Sequence, residues 1–167
     1  MSKFAPILTF EEFDQIRDSL GRIVCASGGF DPIHPGHTSY IINSREYGET
    51  LVVIVCGDAF LTAKKGRPFM DLQARSMIIS SLRAVDYVIP FEVENDLTVC
   101  EALRRIRPHV FTKGGDRTTF VNIPEWKLCQ DLGIELELDV GHPKTMSSSK
   151  ILQEWGEFWI QKNKSKI

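Results

Sequence analysis

The densest chemistry in the sequence lies in one run, Gly28-Gly29-Phe30-Asp31-Pro32-Ile33-His34-Pro35-Gly36-His37. His34 and His37 are three positions apart, so one helical turn puts both imidazoles on the same side. Pro35 and Gly36 suit a helix start, whose unpaired amides and dipole attract anions, phosphate above all. Gly28 and Gly29 let backbone amides come close to such an anion, because no Cβ intervenes. The run does not have the G-x-G-x-x-G spacing of a dinucleotide fingerprint. Two histidines alone also fit zinc, or imidazoles satisfied by backbone. No nearby cysteine or third histidine completes a zinc set, so no metal ligand is assigned.

Three further segments carry less ordinary chemistry. Thr145-Met146-Ser147-Ser148-Ser149-Lys150 presents hydroxyls at a helix start, where they can cap the helix or hold phosphate oxygens; a simple cap is the plainer reading. Lys64-Lys65-Gly66-Arg67-Pro68 is a basic loop that can neutralise a leaving pyrophosphate or an acceptor phosphate, although charge runs also serve as solvated surface. Phe111-Thr112-Lys113-Gly114-Gly115-Asp116 reads by itself as a strand followed by a turn.

These residues need a scaffold, and the composition limits which kind. The chain has 167 residues, about one domain, with its core expected over about 22–161. It is 43% hydrophobic and 25% charged, with a net charge of −2. That balance excludes a protein drawn to nucleic acid or anionic membrane by bulk positive charge. The longest strongly apolar run, Leu51 to Cys56, falls far short of the roughly 20 residues that span a bilayer. The N-terminus, Met1 to Pro6, has no signal-peptide pattern. Cys25, Cys56, Cys100 and Cys129 lack metal-ligand spacing, and three sit in apolar surroundings. Buried free thiols in a reducing cytoplasm are expected, not disulfides.

Strand-like and helix-like segments alternate. Ile23 to Ala26, Leu51 to Cys56, Asp86 to Ile89 (stopped by Pro90), His109 to Thr112 and Ile134 to Val140 read as strands, the last nearer an edge. Helices are expected over Gly36–Tyr47, Asp71–Arg83, Leu97–Ile106, Pro124–Leu132 and Ser149–Gln161. In the second of these Ala74, Met77, Ile78, Ser81 and Leu82 share a face; in the last, Ile151, Leu152, Trp155 and Trp159 do. The pattern predicts an α/β fold: a Rossmann-like, doubly wound, five-stranded parallel sheet with helices on both faces. In such sheets ligands bind outside the carboxyl ends of the strands, here Gly28–His37, Gly57–Arg67, Lys113–Arg117 and Gly141–Lys150.

The pattern G-x-F-D-x-x-H-x-G-H after the first strand resembles the signature of the cytidylyltransferase-like nucleotidyltransferases, a superfamily related to the class I aminoacyl-tRNA synthetases. The resemblance runs from Val24 to Ile151. It implies that His34 and His37 stabilise the triphosphate and the transition state, with Gly28, Gly29, Phe30 and Asp31 shaping the nucleotide floor. Ser147-Ser148-Ser149-Lys150-Ile151 is similar to the family's S-T-T-x-I motif, with serine for threonine. The family's loop lysine would be Lys65, with Lys64 the close second, and Arg75 resembles the arginine of the following helix. Lys113-Gly114-Gly115-Asp116 looks like the V-K-G-G-D segment of the heptose-phosphate adenylyltransferases, where glycerol-phosphate cytidylyltransferases carry M-G-D-D. Lys113, Gly115 and Asp116 would border the nucleoside, and the adjacent glycines leave room for a purine. Arg67-Pro68 and Val85-Asp86-Tyr87-Val88 lean to the same group.

Departures from that group are Gly29 for cysteine, Cys56-Gly57-Asp58 for N-S-D, and Arg117 for tyrosine. Asp58, Lys64, Arg67 and Arg75 are the acceptor or phosphate candidates. The resemblance implies transfer of AMP from ATP to a sugar 1-phosphate, heptose 1-phosphate favoured, with release of pyrophosphate. Its alternative is CTP-dependent transfer to glycerol 3-phosphate or another small phosphorylated alcohol. Magnesium bound with the nucleotide and a homodimer are implied as well. A nucleotide-binding module without catalysis is the reading from another class; the intact His34-Pro35-Gly36-His37 stands against it.

Overall fold

The computed structural model describes residues 4–93, 97–115, 119–120, 123–143 and 145–164. The strands are Ile23–Gly28 (β1), Thr50–Cys56 (β2), Tyr87–Phe91 (β3), Val110–Gly114 (β4) and Glu135–Val140 (β5). The helices are Phe10–Ile16 (α1), Pro35–Ser44 (α2), Asp58–Lys65 (α3), Leu72–Ser80 (α4), Cys100–Ile106 (α5), Trp126–Leu132 (α6) and Ser148–Asn163 (α7). All strand pairs are parallel, in the order β3-β2-β1-β4-β5. The expected doubly wound sheet is the observed one, and its winding reverses between β1 and β4.

Strand alternation sorts the core into two layers. Ile23, Cys25, Val52, Ile54 and Phe111 pack against Phe13, Leu103 and Leu128 of α1, α5 and α6. Val24, Ala26, Leu51, Val53 and Val110 pack against Tyr40, Ile41 and Ile79 of α2 and α4. Because β2 is covered on both faces, every one of its residues is buried, which is why its sequence reads as one apolar run.

Several elements differ from expectation for identifiable reasons. β3 runs through Pro90 to Phe91; it is the edge strand of the sheet, and its outer side carries only the isolated Ile7–Val88 bridge, so Pro90 there breaks no continuous ladder. The segment after β2 is not a basic loop but α3, ended by Gly66 at φ 90°. α1 is an addition to the alternation, built on a capping box in which Thr9 Oγ1 accepts from Glu12 N (3.2 Å) and the Glu12 carboxylate from Thr9 N (2.8 Å). In α4 the buried residues are Arg75, Ser76, Ile79 and Ser80, while Met77 is 56% exposed. The serine hydroxyls bond carbonyls of their own helix, Ser76 to Leu72 O and Ser80 to Met77 O, so polar side chains occupy the inner face. α5 begins at Cys100, later than Leu97, yet buries Ala102, Leu103 and Ile106 as expected. α7 buries none of its residues and leaves Trp155 and Trp159 exposed. Cys25, Cys56 and Cys129 are buried and all four cysteines are free thiols. Among the described residues no helix is long and apolar enough to cross a membrane.

Candidate active site

β1 and β4 pair only at Val24–Val110 and Cys25–Phe111, then part. Tyr40 of α2 spans the gap. Its hydroxyl accepts from Ser27 N (3.1 Å) and donates to Thr112 O (2.7 Å), standing in for the missing ladder bonds. Burial pushes the Tyr40 hydroxyl well above the usual phenol range, which keeps that donor proton in place. Ser44 and Thr112 share a hydroxyl–hydroxyl bond of 2.8 Å beneath it. Above this anchored split lies a cavity of about 510 Å³, a size ordinary for small-molecule sites.

α2 starts at the cavity wall. His34 caps it, with Nδ1 accepting from Gly36 N (3.1 Å), so a neutral His34 carries its proton on Nε2. The His37 ring stacks on that of His34 at 3.8 Å and meets the Phe30 ring edge-on at 5.3 Å. Burial, then the charges of His34, Lys64 and Lys65, lower the His37 pKa to about 3. At neutral pH it is therefore an uncharged imidazole. Its Nδ1 is buried with no partner among the described residues. An unpaired buried polar atom at a cavity wall is where a ligand supplies the missing bond.

The same shift sets a pH dependence. The folded state holds His37 neutral while the unfolded chain protonates it near its ordinary value of about 6.5, so the unfolded state binds more protons between the two. Stability rises with pH across that window and is lost as pH falls. Urea denaturation of wild type and His37→Gln at steps from roughly pH 4 to 6.5 should show a steeper loss in the wild type; parallel curves would contradict the buried neutral imidazole.

Asp31 organises the floor. Its carboxylate accepts from Phe69 N (2.7 Å) and Met70 N (2.8 Å), and Lys65 Nζ lies 2.9 Å away; Lys65 also donates to the Asp31 carbonyl. Burial acts to raise the Asp31 pKa, but the Phe69 amide, Lys65 and the Met70 amide outweigh it and hold the carboxyl below its usual range. Lys65 is thus tied to the loop beneath the site, whereas Lys64 is the exposed member of the pair and also lines the cavity.

Arg75 and Asp58 are placed differently from expectation. Arg75 is fully buried: Nε donates to Met70 O (3.0 Å), Nη1 to Gly29 O (2.8 Å) and Cys56 O (2.6 Å), and Nη2 to Asp58 (2.6 Å). It locks the ends of β1 and β2 together from below, and neither it nor Asp58 is among the residues around the cavity. Arg67 faces a second hollow with Phe69, Ser149 and Leu152.

The hydroxyl run lies on the cavity wall as the sequence suggested. Ser147 caps α7, accepting from Lys150 N (3.2 Å), so the capping role is real and its own proton stays available. Ser148 donates to Pro32 O (2.9 Å), fastening α7 to the loop before His34. Ser149 completes the wall. Gly28, Gly29, Phe30, Asp31, Lys113 and Gly115 reach the same cavity; Asp116 and Arg117 lie outside the described residues. The two glycines after Lys113 have local reasons of their own: a Cβ on Gly114 would sit 2.7 Å from the Tyr40 ring, and Gly115 holds φ 84°.

Three residues here carried no sequence signal. Glu92, from beyond β3, accepts from Asp58 N (2.6 Å) and Ala59 N (2.9 Å), so the protein's own carboxylate fills the anion position at the start of α3. His142 follows β5 and Glu125 precedes α6; both line the cavity.

A doubly wound sheet with a paired-histidine helix start at its switch point sets an anion-attracting helix end where sheets of this class hold their ligands. Residues 25–154 match the cytidylyltransferase-like family model, and the chain belongs to that family of nucleotidyltransferases. It is 39% identical over 116 residues to the bifunctional protein HldE of Aliarcobacter butzleri, covering 66% of this chain and 24% of the relative. The bifunctional protein HldE of Photorhabdus laumondii is 41% identical over 97 residues, covering 57% and 20%. The chain thus spans about a quarter or less of the length of the curated relatives it matches. Among solved structures, the lipopolysaccharide core biosynthesis protein from Thermoplasma volcanium superposes with TM-score 0.61 at 26% identity, covering 73% of this chain and 98% of that one. Pantoate-beta-alanine ligase from Francisella tularensis shares the fold at 17% identity, with TM-score 0.63 over 89% of this chain and 73% of that one.

Proposed function

We propose that this chain transfers AMP from ATP to a sugar 1-phosphate, heptose 1-phosphate favoured, and releases pyrophosphate. The observation that carries the reading is the stacked His34–His37 pair at the start of α2 lining one cavity with Ser147, Ser148 and Ser149 at the start of α7. An acceptor phosphate oxygen attacks the α-phosphorus in line; that bond forms as the bond to pyrophosphate breaks, and pyrophosphate leaves with the electron pair. The attacking oxygen is already anionic, so no strong base is needed. Positioning and charge stabilisation supply the rate. Neutral His37 donates one N–H without the cost of a buried charge, and the α7 terminus with Ser147 faces the distal phosphates. Cys56 lines the cavity, but burial pushes its thiol up to about 11, which keeps it protonated at neutral pH and fits a direct transfer without a Cys56 intermediate.

Magnesium is expected to arrive with the triphosphate. Among the described residues no three histidine, cysteine or acidic side chains cluster to hold a metal, and Asp31 and Asp58 are both engaged by cations. The described residues therefore form no cage for the ion, and none is assigned to it; phosphate oxygens and water are its natural ligands.

The adenylyl and heptose parts of the reading are supported by the resemblance of Lys113-Gly114-Gly115, at the end of β4, to the segment of the heptose-phosphate adenylyltransferases and by the likeness to the Thermoplasma volcanium lipopolysaccharide core biosynthesis protein. The reading also carries a cytoplasmic location and a homodimer, for which Trp155, Phe158, Trp159 and Ile160 of α7 offer an exposed apolar face. ATP should exceed CTP in kcat/KM by at least about tenfold, ~1.4 kcal/mol in transition-state binding. Competition kinetics at equal nucleotide concentration check this. A preference for CTP would instead select cytidylyl transfer to glycerol 3-phosphate or a similar alcohol phosphate.

A further inference from the structure

The cavity has two unlike walls, and strand alternation makes them so. On β4, Thr112 faces α2, so Phe111 and Lys113 face the opposite layer, that of α5 and α6. Lys113 Nζ lies 4.7 Å from the centre of the Phe111 ring and 3.3 Å from Glu125 Oε1. Glu125 is 3% exposed, and Oε1 also accepts from Val99 N (3.2 Å). Its second oxygen, Oε2, is buried with no partner among the described residues. Glu125, Lys113, Phe60, Leu97 and Val99 all line the cavity.

A carboxylate oxygen can only accept, and leaving it unpaired in the interior is costly. The group that completes it is a donor, and Lys113 already balances the charge, so a neutral hydroxyl serves. Geometry says whose hydroxyl. With pyrophosphate departing along the α2 and α7 side, in-line attack would bring the other reactant from the opposite side of the α-phosphorus, the side lined by Phe60 of α3 and by Leu97, Val99 and Glu125 in the segments that lead into α5 and α6. We propose that Glu125, steadied by Lys113, is the specificity-determining residue of the acceptor subsite, its Oε2 accepting a hydrogen bond from a hydroxyl of a polyhydroxylated phosphate. The assignment rests on the nucleotidyl-transfer reading and moves Lys113 from the nucleoside to the acceptor. Phe60, Leu97 and Val99 pack the carbon skeleton between the polar groups.

The test uses heptose 1-phosphate against its monodeoxy analogues, and glycerol 3-phosphate against propyl phosphate, on wild type and Glu125→Gln. Acceptor and ATP KM values come from pyrophosphate release. Acceptor binding is measured separately by calorimetry with a non-hydrolysable ATP analogue present. In the wild type, losing the recognised hydroxyl should cost at least about tenfold in acceptor affinity. In Glu125→Gln the acceptor KM should rise by about tenfold, the hydroxyl preference should shrink, and the ATP KM should stay within about twofold. A wild type indifferent to every hydroxyl overturns the proposal even if the variant does not fold. So does a folded variant whose preference is unchanged or whose ATP KM carries the loss. Absence of pyrophosphate release with all acceptors defeats the transfer reading instead, and the binding measurement still decides Glu125: discrimination between the paired phosphates supports it, and none overturns it.

Discussion

Replacing His37 by alanine is expected to lower kcat by about 10²–10³-fold, the usual worth of one preorganised donor to transition-state charge. The geometry predicts a kinetic effect rather than a structural one. His37 lies in the first turn of α2, but the helix is capped by His34 and anchored by Tyr40, neither of which needs the His37 ring. Its Nδ1 makes no bond that the fold would miss. The melting temperature should therefore hold while turnover falls, and the nucleotide KM should move far less than kcat. Near-normal turnover in a folded variant would remove His37 from the reaction. A collapse of stability would show that the stacked ring is a packing element.

Arg75→Met is expected to destabilise the protein by about 3–5 kcal/mol, the range seen when one partner of a buried charge network is deleted. The loss has named parts. The carbonyls of Gly29, Cys56 and Met70 lose their donor, and Asp58 loses its cation. Since Gly29 directly follows β1 and Cys56 ends β2, both on the cavity wall, activity should fall together with the urea midpoint. Retained stability with a raised acceptor KM would restore Arg75 as a ligand for the acceptor phosphate.

What was legible in the sequence is what depends on pattern. The unbroken burial of β2 and the strand–helix alternation point to the sheet, and the strand-end rule directs attention to Gly28–His37 and to the serines at the start of α7, which the fold brings to one cavity. What stayed hidden depends on pairing across the chain. Nothing local to Arg75 says that a guanidinium will lie in the core, because its partners are carbonyls of other elements. Lys65 and Lys64 read alike until Asp31 takes one and leaves the other exposed. Glu92 and Glu125 look like ordinary surface acids, yet one caps α3 and the other meets Lys113 in the interior. Gly114 and Gly115 have local reasons that no sequence pattern shows: a Cβ at Gly114 would meet the Tyr40 ring, and Gly115 holds a positive φ. The aromatic stripe of α7 has core spacing and faces outward, because no described element covers it.

The most direct measurement of the central claim is acceptor-dependent pyrophosphate release from ATP with magnesium present, with heptose 1-phosphate as acceptor and the products resolved by mass. The account predicts pyrophosphate and an ADP-linked sugar in equal amounts, no release without acceptor, and release nearly abolished in His37→Ala. ATP bound without turnover, or pyrophosphate released equally with and without the sugar phosphate, would contradict it.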